Sequence, residues 1–191
     1  MFTMMNHARL DVALQGVAHA SRAHQIAAQY ASERIQGRDA QTRSPVRITQ
    51  HYDVARMLAR QDMLAMTARL MAYHALSLVE DDEHAALLDF LTPICKSFCT
   101  DAGVESAQLG IQILGGYGYL REYRVEQTLR DARICQIYEG TNGIHALSLA
   151  SRLVRHNEGA SASAFEKMIA DVINISQPSD TLLSDLLSQW R

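Results

Sequence analysis

Proline and cysteine occur three times each and tryptophan once in 191 residues, so little in this chain either interrupts or staples the backbone. So few prolines leave room for long unbroken helices. Cys95, Cys99 and Cys135 are odd in number and form no Cys-x-x-Cys pair. That excludes a disulfide framework and paired-cysteine zinc spacing, and points to reduced thiols in a reducing compartment. Cys95 and Cys99 stand one helical turn apart, where two small buried apolar residues are the favoured reading. No apolar run approaches the ~18 residues of a membrane span. The start, "MFTMMNHARLD", lacks the basic segment and long apolar stretch of a signal peptide. Charge of one sign is also missing: Lys and Arg number 18 against 21 Asp and Glu, for a net charge of −3, and they are scattered. A nucleic-acid footprint needs a clustered basic face, so none is expected. There is no His-Glu-x-x-His, and the eight histidines do not supply the two Glu-x-x-His motifs of a di-iron bundle, so no metal is expected. The acids of "EDDEH", Glu80 to His84, read as a solvated turn instead of a metal cup.

What is present is helical period. With 48% hydrophobic and 20% charged residues the chain fits one soluble globular domain. Leu10, Leu14, Val17, Ser21, His24 and Ala28 recur at three- and four-residue steps and predict a helix over residues 4–35. Residues 36–47, "QGRDAQTRSPVR", are polar and aperiodic, which predicts a loop. The period returns from Thr49 to Val79. Thr92-Pro93 then reads as an N-cap followed by proline at the first helical position, opening a third helix that runs to Leu114. Residues 142–155 predict a fourth helix, residues 162–175 a weaker one, and "TLLSDLLSQW" a last amphipathic turn or two. No strand alternation persists and no repeat is visible. The fold class expected is an all-α up-and-down four-helix bundle.

One stretch departs from this pattern. Gln112 to Ala146, "QILGGYGYLREYRVEQTLRDARICQIYEGTNGIHA", holds five of the ten glycines and four of the seven tyrosines. A helix C-cap needs one glycine, whereas Gly115, Gly116 and Gly118 exceed that need and permit close approach by another group. No strand precedes them, so they are not a dinucleotide fingerprint. Further on, an apolar segment delivers Glu139, expected to be buried, to a loop before a new helix for which Thr141 and Asn142 are both candidate N-caps. A carboxylate there is either a partner of the helix dipole or a functional group, and spacing alone favours the first.

The pieces "FTMMNHARL", "YASER", "DAGVESAQLGIQILGGYGYLREYRVEQTLRDARICQIYEGTNGI" and "ALSLASRLV" carry a resemblance. Residues 1–156 resemble the C-terminal helical domain of the acyl-CoA dehydrogenase family, most closely the larger bacterial branch that includes an enzyme for a sulfur-containing short acyl-CoA. The resemblance implies α,β-dehydrogenation of an acyl-CoA thioester with FAD as hydride acceptor. Glu139 matches the family's α-proton base. Such a base must be within hydrogen-bond reach of the substrate and poorly solvated, which raises a carboxylate's pKa; Ile137 and an acyl chain would exclude the water. The family also uses the backbone N–H at this position to hold the thioester carbonyl, and Gly140 matches a residue leaving room for it. Gln112, Gly115 and Gly116 match a segment that contacts the ADP half of FAD, often a neighbouring subunit's. Thr141, Asn142 and Gly143 match a second FAD-contacting turn, and Arg34 an arginine that reaches the pyrophosphate, with an exposed surface pairing as its alternative. Asn6 and Arg9 match positions near the substrate and its CoA portion; the alternative for Asn6 is a polar residue on a first helical turn.

Departures from the family pattern accompany these matches. After Arg34 the family commonly has Arg-x-x-Phe-Gly, while this chain has "RIQGR". Asn6 stands where many members have aspartate, and Gly143 and His145 stand near positions often held by glutamine; His145 reads as a surface histidine. By this resemblance residues 1–191 are expected to lack the family's N-terminal helical domain and middle β-domain, the latter supplying most contacts to the flavin ring in the family. The isolated chain is therefore expected neither to hold FAD tightly nor to turn over substrate. The resemblance further implies an electron-transfer flavoprotein as electron acceptor, a homo-dimer or homo-tetramer, and the bacterial cytoplasm. Residues 157–191 are expected to form a helical extension of unknown role. The competing reading is a helical oligomerisation or binding module without catalysis.

Overall fold

Three long helices set the frame of the computed structural model, which describes residues 2–175. They are α1 (Phe2–Glu33), α2 (Tyr52–Ser77) and α3 (Ala85–Leu114). Their relative directions follow from individual contacts. A Cβ on Gly16 would meet the Cys99 carbonyl, Ser106 Oγ donates to the Ala20 carbonyl at 3.0 Å, and Gly110 approaches the Ala23 carbonyl. Residue numbers rise together, so α1 and α3 run parallel. Between α2 and α3 they run oppositely: Arg60 pairs with Glu105, Gln61 Nε2 donates to the Ser106 carbonyl, and the Cys99 and Cys95 thiols donate to the carbonyls of Ala68 and Met71. This is the up-and-down arrangement expected of the sequence.

Close approach of α1 to α3 rests on small residues. Ala13, Gly16, Ala20, Ala23, Ala27 and Ala31 form a fully buried stripe on α1. A methyl at Gly16 would lie 2.3 Å from the Cys99 carbonyl oxygen, and one at Gly103 would lie 3.0 Å from the Gly16 carbonyl. Glycine inside a helix costs roughly 0.5–1 kcal/mol relative to alanine; here it lets two backbones touch. Larger apolar residues fill the two ends. Leu10, Val17, Leu64, Leu87, Leu91 and their neighbours form one core, and Ile48, Met57, Ile113, Leu114 and Val125 the other. Shorter helices complete the bundle: α4 (Val125–Cys135) packs on α1 and α3, and α5 (Asn142–Ser148) on α3. The last described helix, α6 (Ala160–Ile175), also lies on α3, where Phe165 stacks on Phe90 with ring centres 5.0 Å apart.

The structure corrects three expectations of local order. Residues 36–47 are not a plain loop: β1 (Ile35–Arg38) and β2 (Pro45–Arg47) pair antiparallel around a turn in which Asp39 Oδ1 accepts from the N–H groups of Gln41 and Thr42. Only Val46 of these strand residues is buried, so no alternation was there to read. Thr92-Pro93 does not start α3. The helix begins eight residues earlier because Leu87, Phe90 and Leu91 bury there, and Thr92, itself buried, turns its hydroxyl to the Leu88 carbonyl at 2.7 Å. Packing thus outweighs the ~3 kcal/mol that an internal proline costs. The fourth helix is regular only to Ser148 and continues as a π-turn, Leu149–Leu153. The "EDDEH" turn is exposed as expected, with Asp81 capping it through the Glu83 N–H and pairing with His84. "TLLSDLLSQW" lies outside the described residues.

Replacing Gly16 by alanine should destabilise the chain by about 1–3 kcal/mol despite the gain in helix propensity, since backbone atoms must move apart. Chemical denaturation of the two chains checks this; equal midpoints would contradict the close crossing.

Candidate active site

Between α4 and α5 the backbone takes two left-handed residues in succession, Glu139 at φ 53° and Gly140 at φ 92°. The conformation costs a non-glycine residue roughly 1–2 kcal/mol, so the surroundings must impose it. They do so through the carbonyls. His145 Nε2 donates to the Glu139 carbonyl at 3.1 Å, and Lys96 Nζ donates to the Gly140 carbonyl at 2.8 Å. The Asn142 N–H reaches back to the Gln136 carbonyl at 3.2 Å, and Thr141 is the N-cap of α5, accepting from the Ile144 N–H. Gly140 is required twice over, by its φ and because a Cβ would lie 3.0 Å from His145 Nε2. Within the chain, then, the space at Gly140 belongs to the His145 ring.

With both carbonyls tied inward, the Glu139 side chain is exposed, against the expectation that it is buried. Large apolar residues flanking it in sequence are exposed as well: Ile137, Tyr138, Ile144 and Leu147. The sequence offers apolar neighbours, but among the described residues nothing covers them. The Glu139 N–H makes no hydrogen bond among the described residues.

Two groups under the turn were not singled out as its supports. Lys96, on α3, has no exposed surface, and His145 is 2% exposed, not a surface residue. The signal for Lys96 was a lone cation in the apolar run "PICKSFC". Its ammonium donates to Asn142 Oδ1 at 2.9 Å as well as to Gly140. Asn142 Nδ2 in turn donates to Thr100 Oγ1 at 3.0 Å and Asp101 Oδ1 at 2.8 Å. The Asn142 amide is thereby committed to α3, leaving only its backbone for an outside ligand. Burial is the main influence on both cationic groups. It draws the Lys96 ammonium below its usual range, opposed by Cys135, Asp101 and Glu139. It draws His145 down too, reinforced by the positive charges of Arg9 and Lys96. A neutral His145 carrying its proton on Nε2 fits the bond to the Glu139 carbonyl. The three thiols are buried, and burial pushes Cys95 up to about 12.

The other expected site residues fall into two places. Asn6 and Arg9 sit on the first turns of α1. Asn6 Nδ2 donates to Asp89 Oδ1 at 2.7 Å and Arg9 donates to Asn6 Oδ1 at 3.2 Å. Arg9 is close enough to Glu139 and Arg152 to feel both charges, and its Nε is buried without a partner. Arg34 lies beyond the far end of α1, about 37 Å away along a helix axis rising ~1.5 Å per residue. There it lines a groove of about 460 Å³ with Tyr30, Gly115, Gly116 and Tyr117. Its guanidinium lies over the Tyr117 ring at 5.6 Å and its Nε is buried without a partner. Gln112 is exposed on the last turn of α3, and Thr141 and Gly143 are exposed at the start of α5.

Glycine positions test whether the groove suits a ligand. Gly115 is accounted for by φ 60°, and Gly118 by the Ile111 carbonyl, which a Cβ would approach to 2.7 Å. Gly116 has neither reason, since a Cβ there meets nothing within 4 Å. A glycine beside an unpartnered guanidinium nitrogen fits an anionic group brought close to the backbone. Gly116→Ala should therefore change the chain's stability by less than about 0.5 kcal/mol, which thermal or chemical unfolding measures. His145 yields a pH prediction. The unfolded chain takes up the histidine proton near pH 6.5, the folded chain only at lower pH, so the native state loses stability as pH falls through that window. His145→Gln keeps a donor for Glu139 without titrating. It should show a smaller fall in Tm between pH 7 and pH 5 than the parent, and identical falls would contradict the buried neutral histidine.

Comparison with known proteins places this geometry. A model of the acyl-CoA dehydrogenase C-terminal domain matches residues 1–154. The chain is 44% identical to 3-methylmercaptopropionyl-CoA dehydrogenase of Ruegeria pomeroyi over 181 residues, covering 89% of this chain and 31% of that protein. It is 36% identical to an acyl-CoA dehydrogenase of Bacillus subtilis over 151 residues, 78% of this chain and 37% of that protein. Butyryl-CoA dehydrogenase of Megasphaera elsdenii superposes with a TM-score of 0.70 at 29% identity, covering 80% of this chain and 38% of the other. Nitroalkane oxidase, at 20% identity and a TM-score of 0.74, shares the fold alone. The chain thus spans about a third of the length of these relatives, and over that third it belongs to the acyl-CoA dehydrogenase family as its C-terminal helical domain.

Proposed function

We propose that this domain supplies the α-proton base and part of the FAD-binding surface for α,β-dehydrogenation of an acyl-CoA thioester. The observation that carries the proposal is the Glu139 turn. Its carbonyls are anchored inward while its carboxylate and an unbonded N–H remain available to a ligand. The Glu139 carboxylate removes the proton from the carbon next to the thioester, and the Glu139 N–H donates to the thioester oxygen as negative charge develops there. When bound, FAD is the acceptor for the hydride leaving the adjacent carbon. Substrate seated over Ile137 and Tyr138 would exclude water from the carboxylate, and a dry carboxylate is a stronger base than a hydrated one. Asn6, Arg9 and Gly140 border the substrate, with Arg9 offering positive charge to its CoA portion. A short acyl chain, such as the one in the name of the 44% identical relative, is the proposed substrate class.

For the cofactor, Arg34, Gln112, Gly115 and Gly116 would hold the ADP half, and Thr141, Asn142 and Gly143 would meet FAD through backbone. The second set is bonded to Thr100 of α3, which abuts Gly16 near the middle of α1, about 18 Å along α3 from Gln112. In the proposal the first set serves the cofactor of a neighbouring copy, as the resemblance implies, which makes a homo-dimer or homo-tetramer part of it. Exposed Met63, Met66, Leu70 and Tyr73 recur along one side of α2 and suit subunit packing, so the oligomerisation reading is complementary to catalysis. An electron-transfer flavoprotein as acceptor and a cytoplasmic location complete the proposal; no described helix is long and apolar enough to cross a membrane.

In a flavin-loaded enzyme carrying this domain, Glu139→Gln should lower dehydrogenation about 10²–10⁴-fold with unchanged flavin content and assembly, read by dye reduction and sedimentation. Retained activity would refute the base. The 191-residue chain alone should purify colourless, and stoichiometric flavin absorption would contradict the proposed division of the cofactor site.

A further inference from the structure

A buried lysine that meets no carboxylate directly needs an explanation. Lys96 is enclosed on all sides, yet among the described residues its ammonium bonds only to two neutral oxygens, the Gly140 carbonyl at 2.8 Å and Asn142 Oδ1 at 2.9 Å. Enclosing a charge without a bonded counter-ion is expensive, so what its two bonds hold in place calls for a reason. The enclosure is nonetheless ordered in every direction. Thr100 Oγ1 donates back to the Lys96 carbonyl, Asn142 Nδ2 reaches Thr100 and Asp101, and Gln136 Nε2 donates to Asp101 Oδ1. Through these bonds α3 grips both flanks of the Gln136–Asn142 turn, while His145 grips its middle through the Glu139 carbonyl. The two residues bracketed in this way are the two left-handed residues of this turn.

We propose that Lys96 is a positioning residue for the reaction: fixed on the rigid central helix, its ammonium clamps the left-handed Glu139–Gly140 turn so that the Glu139 carboxylate and N–H face the thioester together. This rests on the reading of Glu139 as the base. Geometry gives it a direction. Glu139 has one carbonyl bond of its own, to His145 of α5, and no helix to stiffen it, so the other hold on the turn comes from Lys96 of α3. Without the ammonium, Gly140 is free to leave the left-handed region and the carboxylate loses its fixed aim, while the bundle core, built from Ala, Leu and Gly contacts elsewhere, keeps its packing. Misplacing a base affects the chemical step more than substrate binding.

Lys96→Met preserves length and removes the donor. In the 191-residue chain, amide hydrogen exchange should speed at least tenfold over residues 137–145, with α1 and α3 exchange unchanged. In the flavin-loaded enzyme kcat should fall at least tenfold while KM for acyl-CoA stays within twofold. Unchanged exchange in the turn, or unchanged kcat, overturns the proposal. Lys96→Gln, a neutral residue that keeps a donor, provides the second arm should the methionine variant not fold. It should restore turn protection and bring kcat within threefold of the parent, and a Gln variant with an ordered turn but no activity overturns the positioning role. The two readings fail separately. An active Glu139→Gln enzyme with a loosened Lys96→Met turn removes the base and keeps the clamp, whereas an inactive Glu139→Gln enzyme with an unaffected Lys96→Met variant removes the clamp and keeps the base.

Discussion

The site depends on a glutamate held in a backbone conformation that glutamate disfavours. At φ 53° Glu139 is stable only because its carbonyl and that of Gly140 have donors beneath them, one from α5 and one from α3. Strain of this kind persists where surroundings over-determine it, and here they aim a carboxylate outward from a well-packed bundle. Hydrogen bonds to the carbonyls, which face the protein, leave the side chain and N–H for a ligand. One constraint thereby separates the part of the turn that serves folding from the part proposed to serve chemistry.

That separation requires α3 to be immobile, which the small-residue crossing with α1 provides. Gly16 and Gly103 bring two parallel helices into backbone contact, and the thiols and Gln61 tie α2 across them. Lys96 and Thr100 lie within this zone, next to Cys95 and Cys99 on the same helix. The contacts that build the core therefore also fix the platform on which the turn rests. At the C-terminal end of α1, Arg34 and the open Gly116 face a groove, the surface proposed to meet the cofactor.

Much of this was legible in the sequence. Long helices announced themselves through Leu10, Val17, Met57 and Ile113, and the glycine-rich break through Gly115 and Gly140. The stripe of Ala13, Ala20, Ala27 and Ala31 was harder to see, because alanine fits either face of a helix and only packing reveals its role. Thr92-Pro93 carried a genuine local cap signal that burial of Phe90 and Leu91 overrode. His145 and Lys96 were hidden for a related reason: a polar residue's burial depends on partners distant in sequence, such as Lys96 to Gly140, that no local pattern encodes. Glu139 erred in the opposite sense. Its apolar neighbours suggested enclosure, but those neighbours are themselves exposed among the described residues.

The most direct test is a crystal structure of the flavin-loaded enzyme bearing this domain with an unreactive acyl-CoA thioester analogue. It should show a Glu139 carboxylate oxygen within about 2.6–3.2 Å of the position of the proton to be removed, or one water away, with the Glu139 N–H on the thioester oxygen. A Glu139 side chain turned into bulk solvent, with the thioester bound elsewhere, would contradict the proposed base.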